Sequence, residues 1–186
     1  MVVPSVLAVC VVSALRPDGG SVGVTAIDKR PVEGPVRVGA YGLYADVQAD
    51  RERHGGLDQA VYVYGEEDAQ WWAREVGNDF PPGVFGENLR VEGLDVNASR
   101  IGDRWRIGEE VVLQVTRPRK PCQTFARWVE EQGIASSRGW VKRFAASGRL
   151  GPYLRVLRAG EVRTGDRIVV EPAPVGALAL LDWAAS

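Results

Sequence analysis

One histidine, two cysteines and one methionine in 186 residues leave this chain little with which to build a metal cluster. A structural zinc site draws about four Cys and His side chains together, and His54, Cys10 and Cys122 do not supply them. Two well-separated cysteines are also too few for the disulfide framework of a small secreted domain, so a cytoplasmic protein is expected. An excess of either charge is missing too. The 23 Lys and Arg residues face 24 Asp and Glu, and a net charge of -1 sets up no global field for nucleic acid. Any anion site must therefore be local. No apolar run approaches the roughly 20 residues of a membrane-crossing helix. The opening run 2–15 has no basic residue before it and is interrupted by Pro4, so it reads as a buried strand and not as a signal peptide. There is no Gly-x-Ser-x-Gly elbow, no Gly-x-Gly-x-x-Gly fingerprint and no P-loop, which removes the motif-based case for a hydrolase, a dinucleotide enzyme or an NTPase.

What the chain has in abundance is punctuation. Twenty-two glycines and 11 prolines cut it into short segments rich in Val, Ile, Tyr and Trp, the composition of strands. Strands are predicted over 6–13, 22–27, 60–64, 88–91, 104–107, 111–116, 153–157 and 167–170, a barrel or sandwich pattern. Ile101-Gly102-Asp103 and Thr164-Gly165-Asp166 read as hairpin connections. Ala69, Trp72, Ala73 and Val76 recur at helical spacing, so 66–76 is an amphipathic helix with its acids at the start. Phe125, Trp128 and Val129, then Trp140, Val141 and Phe144, mark two more short helices around a turn at 133–138. One domain over 1–186, mainly β with α insertions, accounts for this order.

Three polar clusters stand out. In Thr116-Arg117-Pro118-Arg119-Lys120-Pro121-Cys122 two prolines stiffen the exit from a strand, and three cations precede a thiol at the start of a helix. Cations and a helix N-terminus favour a thiolate, the reactive or metal-binding form. The same pattern is also that of a surface turn with basic neighbours. Cys10 lies in an apolar run and behaves as a small hydrophobe. The second cluster, Asp28-Lys29-Arg30-Pro31-Val32-Glu33-Gly34-Pro35, sets two cations before a rigid turn, suited to an anionic group or simply solvated. The third runs from Asp46 to Ala60 and includes His54-Gly55-Gly56, where the glycines let backbone amides come close to a ligand.

Taken together, Lys29-Arg30-Pro31-Val32, Gln48-Ala49-Asp50, His54-Gly55-Gly56 with Asp58, Pro82-Gly83-Val84-Phe85-Gly86-Glu87-Asn88-Leu89, Ile101-Gly102-Asp103-Arg104, Arg117-Pro118-Arg119-Lys120-Pro121-Cys122 and Tyr153-Leu154-Arg155-Val156-Leu157 resemble the MOSC domain family, in consistent order over about 29–170. MOSC denotes the C-terminal domain of molybdenum cofactor sulfurase, and the resemblance is to its stand-alone bacterial branch. It implies a closed or partly closed β-barrel, like that of pyruvate kinase, and binding of molybdenum cofactor, a pterin dithiolene carrying a phosphate. By the same resemblance Cys122 is the metal thiolate and catalytic residue. Lys29, Arg30, His54, Gly55, Gly56, Asp58, Asn88, Arg117 and Arg119 are the cofactor-binding set. Family relatives reduce N-hydroxylated compounds, so such a small molecule is the implied substrate, with a flavoprotein or other electron donor as partner and neither nucleic acid nor membrane. A non-catalytic cofactor or sulfur carrier, and a hydrolase pairing Cys122 with His54, are the alternatives. Pyridoxal phosphate is not expected, since it belongs to the aminotransferase-like part of the sulfurase. Ala45 where a glycine usually precedes Asp46, Gln59 where a lysine often follows Asp58, and Pro152 in place of an aromatic depart from the pattern. Residues 177–185 form a possible helix where relatives often carry a longer extension.

Overall fold

The computed structural model describes residues 3–20, 22–49 and 55–185. His54 and Asp50 of the predicted clusters lie outside the described residues. The chain order is β1 (Ser5–Pro17), β2 (Val24–Val32), β3 (Val36–Gly39), β4 (Gly42–Leu43), β5 (Val61–Gly65), α1 (Glu66–Val76), β6 (Leu89–Glu92), β7 (Arg104–Ile107), β8 (Val111–Pro118), α2 (Gln123–Glu131), α3 (Trp140–Ala146), β9 (Pro152–Arg158), β10 (Gly160–Val162), β11 (Ile168–Glu171) and α4 (Leu180–Ala185). Eight strands form one sheet in the order β11-β7-β8-β9-β5-β6-β1-β2, and β10-β3-β4 form a second.

Strand β5 shows why the molecule has two cores. Its sequence Val61-Tyr62-Val63-Tyr64-Gly65 is buried at every position, and side chains alternate between faces with a period of two. Val61 and Val63 join an aliphatic cluster with Val9, Leu113, Val115 and Leu154. Tyr62 and Tyr64 join an aromatic cluster with Trp72, Phe85, Phe125, Trp140 and Phe144, contributed largely by the helices. Tyr64 stacks on Phe85 at 3.9 Å between ring centroids, and Trp72 meets Trp140 at 4.9 Å. Each such side chain contributes roughly 1.5–3 kcal/mol by leaving water, which explains why three short helices stay on one side of the sheet.

The expected barrel is not closed. Strand β1 carries β6 along one side, while on the other side β2 takes up its length from Val9 onward, leaving only its first residues for β11. There the two strands touch at one isolated bridge, Ser5 to Arg167, backed by Val6 N–H to the Asp166 carbonyl (2.9 Å) and Ile168 N–H to the Pro4 carbonyl (2.8 Å). The Gly102 and Gly165 turns are present, yet neither joins a hairpin: β6 and β7 are not neighbours, and β10 and β11 lie in different sheets. The rigid turn expected after Arg30 begins later, because Lys29–Val32 continue strand β2. Pro31 is tolerated there because β2 is an edge strand, where a missing N–H costs no ladder bond.

Between α1 and β6 the chain has no regular structure, and a buried ion pair holds it. Arg90, fully buried, donates from Nε (2.9 Å) and Nη2 (2.6 Å) to Glu87 Oε1, from Nη1 to Glu66 Oε2 (2.9 Å) and the Phe80 carbonyl (3.2 Å), and from Nη2 to the Pro81 carbonyl (3.2 Å). Glu87 Oε1 also accepts from Gly83 N–H at 2.8 Å. Gly83 sits at φ 94° with the Lys29 carbonyl where a Cβ would be, so only glycine lets the two backbones approach. Ala45 takes φ 69°, in the left-handed region that favours glycine.

Two stability outcomes follow from these features. Removing one member of the buried pair, as in Glu87→Leu or Arg90→Met, should cost about 3–5 kcal/mol because it strands the other charge; a double Glu87→Leu/Arg90→Met variant at least as destabilised as the two singles summed in urea titration contradicts this. Ala45→Gly should stabilise by about 1 kcal/mol through relief of the left-handed alanine, read as a rise of roughly 2–4 °C in Tm; a fall in Tm contradicts it.

Candidate functional site

Strand β2, the start of α2, Tyr62 of β5, Tyr153 of β9 and the segment from Phe85 to Asn88 surround one cavity of about 470 Å³. Its size falls in the range of small-molecule and cofactor sites, roughly 300–1,000 Å³.

One part of its wall is a hydrogen-bonded polar knot. Asp46 accepts Val12 N–H at Oδ1 (2.9 Å), Asn88 Nδ2 at Oδ2 (2.7 Å) and the Lys29 ammonium at Oδ2. Asn88 in turn accepts Tyr62 N–H at 3.1 Å. Lys29 is buried, so its charge is neutralised by Asp46 before any ligand arrives. Beside the knot, Gln48 donates to the Tyr41 carbonyl (3.0 Å) and accepts Gly56 N–H (2.8 Å), while Gln59 donates to the Gly55 carbonyl (3.1 Å). These two glutamines line the cavity and fix the Gly55-Gly56 loop behind it.

Another part of the wall carries the thiol. Cys122 is the N-cap of α2, with φ -141° and ψ 162°, and is partly exposed. The strand feeding it ends at Pro118, and Arg119 N–H then bonds the Gly151 carbonyl at 3.0 Å, which aims the arginine inward. Arg119 is 5% exposed. Its Nη1 donates to the Phe85 carbonyl (2.7 Å), and its guanidinium lies 4.3 Å from the Phe125 ring and 5.0 Å from that of Tyr62. The Nε is buried without a hydrogen-bond partner. Burial works against this charge, but the neighbouring Tyr62, Cys122 and Tyr153 groups outweigh it and push the pKa up, so the group stays a cation. Burial also raises the Tyr62 and Tyr153 phenols, against the lowering influence of Arg119.

Of the residues singled out in the sequence, Lys29, Asn88, Arg119 and Cys122 line the cavity together, and Gly55 and Gly56 stand directly behind its glutamines. Arg30 does not join them. It follows Lys29 in a strand and therefore points to the opposite face, half exposed, where its Nε pairs with Asp28 at 3.1 Å. Arg16 pairs with the same carboxylate at 2.6 Å, so nothing in its surroundings sets Arg30 apart from it. Arg117 sits on the Trp183 ring at 5.4 Å and Asp58 pairs with Arg155 at 2.9 Å, both outside the cavity lining. Asp46, Tyr62, Phe85, Thr124 and Arg127 line it without having been singled out as binding residues. Asp46 had a signal in the sequence, since it opens the third polar cluster and follows Ala45, the position where the resemblance leads one to expect glycine. Arg127 had none, because its partner Asp18 is 109 positions away.

The MOSC domain model matches residues 50–169. The chain is 37% identical over 144 residues to YflK of Bacillus subtilis, covering 77% of this chain and 62% of that protein. It is 31% identical over 162 residues to a protein of Gibberella moniliformis named as a reductase, covering 84% of this chain and 27% of that one. The crystal structure of YiiM from Geobacillus stearothermophilus superposes with a TM-score of 0.74 and 29% identity over 96% of this chain and 80% of YiiM. The chain thus spans under two thirds of YflK and about a quarter of the fungal reductase. A domain match over most of the chain and a mainly β fold shared with YiiM agree on one assignment: this chain belongs to the MOSC domain family.

Proposed function

We propose that the cavity binds a molybdenum cofactor, with Cys122 as the protein's ligand to the metal, and that the chain thereby reduces N-hydroxylated compounds with electrons from a flavoprotein or other redox partner. The observation that carries this reading is a buried guanidinium, Arg119, lining the same cavity as Cys122. Lys29 and Arg127 each have a carboxylate partner, Asp46 and Asp18, whereas Arg119 has none among the described residues. A buried, unpaired guanidinium is costly unless an anion completes it, and its orphaned Nε is one further donor for that anion.

The donor set fits the group. A soft thiolate suits a soft metal centre, and a guanidinium suits a phosphate. Among the cavity-lining side chains Cys122 is the soft ligand, suited to a metal already held by the dithiolene of its cofactor. Bound there, the cofactor supplies two-electron transfer. Arg119 holds its anionic end, the Lys29–Asp46–Asn88 knot and the two glutamines orient polar edges, and Tyr62 and Phe85 exclude water from the wall. The reductase name of the Gibberella relative supports a reductive reaction, as does membership of the family.

Protein purified from a molybdenum-competent host should retain molybdenum through gel filtration and reduce an N-hydroxylated base. Cys122→Ser should abolish the reduction with the fold intact, and an unchanged rate contradicts the metal-ligand role. Arg119→Met should lower retention more than tenfold, the scale of one charge-assisted contact of about 1.5–3 kcal/mol, with Arg119→Lys between the two. Retention equal to wild type in Arg119→Met removes the anion role. Cys10, fully buried with its thiol pKa pushed up by that burial, should behave oppositely. Cys10→Ser should cost about 1–3 kcal/mol in stability and leave activity per folded molecule unchanged; loss of activity at full stability contradicts this.

A further inference from the structure

The wall of the cavity next to Cys122 is completed by the tip of the β1–β2 hairpin. Asp18, Gly19, Gly20, Val22 and Val24 line the same cavity as Cys122 and Thr124. Within the hairpin the tip is closed by Asp18 N–H to the Gly23 carbonyl (3.0 Å) and Gly23 N–H to the Gly20 carbonyl (3.1 Å), but its attachment to the sheet is weak. β2 is the edge of the sheet, so the hairpin has no strand on its outer side. The last five residues of β1, from Ser13 to Pro17, are exposed. The pairing with β2 slips register twice, between Val12 and Ala14 and between Ala14 and Arg16. Irregular pairing of this kind bends a strand and weakens its ladder locally.

The tip is tied to the rest of the cavity wall through α2. Asp18 Oδ1 accepts from Arg127 Nη2 (2.6 Å) and Nε (3.1 Å), and Oδ2 accepts from the Thr124 hydroxyl (2.9 Å). Arg16 adds a cation–π contact over Trp128 at 5.4 Å. Thr124 and Arg127 lie two and five residues past the thiol, so one carboxylate fastens the hairpin to the first turns of the helix that begins at Cys122. The Arg127 side chain is 38% exposed, which leaves the pair open to water and salt. Partial burial works against ionisation of Asp18, but the bonds from Arg127, Thr124 and Gly20 N–H outweigh it and hold the carboxyl below its ordinary pKa, so it stays charged. Gly23 at φ 73° and the Gly19-Gly20 pair give the tip backbone freedom.

We propose that the hairpin tip is a flap beside Cys122, latched by Asp18 to Thr124 and Arg127, and that release of this latch sets the size of molecule that reaches the thiol. The flap concerns access alone and holds whichever ligand the cavity binds. Its test therefore uses the chain without cofactor. Two neutral reagents of different size, iodoacetamide and N-pyrenylmaleimide, label the thiols at constant pH, and peptide mass analysis locates the label.

Asp18→Ala and Arg127→Ala should each speed pyrenylmaleimide labelling of Cys122 roughly fivefold, the scale of one half-exposed ion pair, while iodoacetamide labelling changes by less than about twofold. The double variant should be no faster than Asp18→Ala, which by itself removes the bonds to both Arg127 and Thr124. Electrostatics alone predicts opposite signs, because one variant removes a negative neighbour of the thiol and the other a positive one. Opposite signs, or wild-type rates in both variants, overturn the flap. Thr124→Val keeps both charges and should show a smaller acceleration in the same direction. Buried Cys10 reports on folding. Should a variant expose Cys10 to label, the wild-type chain decides: faster pyrenylmaleimide labelling of Cys122 as salt rises toward about 1 M supports a screened latch, and a salt-independent rate overturns it.

Discussion

Arg90 and Glu87 are both fully buried, and the irregular chain between α1 and β6 is arranged around them. Taking two charges out of water costs several kcal/mol for each, and their mutual attraction recovers this only when further hydrogen bonds complete the geometry. Arg90 finds them in Glu66 and in the carbonyls of Phe80 and Pro81. It also lies 5.5 Å from the Phe85 ring. The consequence is a rigid segment whose remaining carbonyls point at functional neighbours. Phe85 presents its carbonyl to Arg119, and Val84 presents its own to Trp128 of α2. Asn88, next to Glu87, reaches Asp46. A salt bridge remote from the thiol thus determines where the cavity's polar groups stand.

Within the cavity, charge is arranged by compensation. Two of its cations are matched by carboxylates in the folded chain, so they act as hydrogen-bonding anchors more than as free charges. Arg119 differs, because its nearest groups are aromatic rings and a backbone carbonyl. The ring faces stabilise its cation without neutralising it. A local positive site arises in a chain whose net charge is only -1. That solves the problem posed by the composition, which offers no long-range attraction for an anion.

The stable and the labile parts of the wall are distinct. Tyr62, Phe85 and Tyr153 belong to the aromatic core, where every neighbour is packed. The hairpin tip is fastened by one carboxylate on a surface that salt reaches. A site that needs both a fixed geometry at its thiol and a route for ligands is served by placing rigidity and mobility on different elements, since locally weak structure opens at low free-energy cost.

Much of the secondary structure was legible in the sequence because periodicity reports burial directly. The spacing of Ala69, Trp72, Ala73 and Val76 placed α1 at its observed bounds, and the alternation in β7 did the same. The short strands β3, β4 and β10 were missed, since two to four residues are too few to show a period. Cys122 was found because its cations and prolines are local in sequence. The sequence by itself determined the family, the mainly β character and the thiol at a helix start. Only the tertiary structure decided which cations share the cavity. Strand alternation turned Lys29 inward and Arg30 outward, and the bond from Arg119 N–H to the Gly151 carbonyl drew Arg119 behind the aromatic rings. Long-range pairing joined Asp18 to Arg127 across 109 positions, and it kept β2 in the place beside β1 that a closed barrel would have given to β11. Each of these depends on contacts between residues far apart in the chain, which no local pattern of residue types encodes.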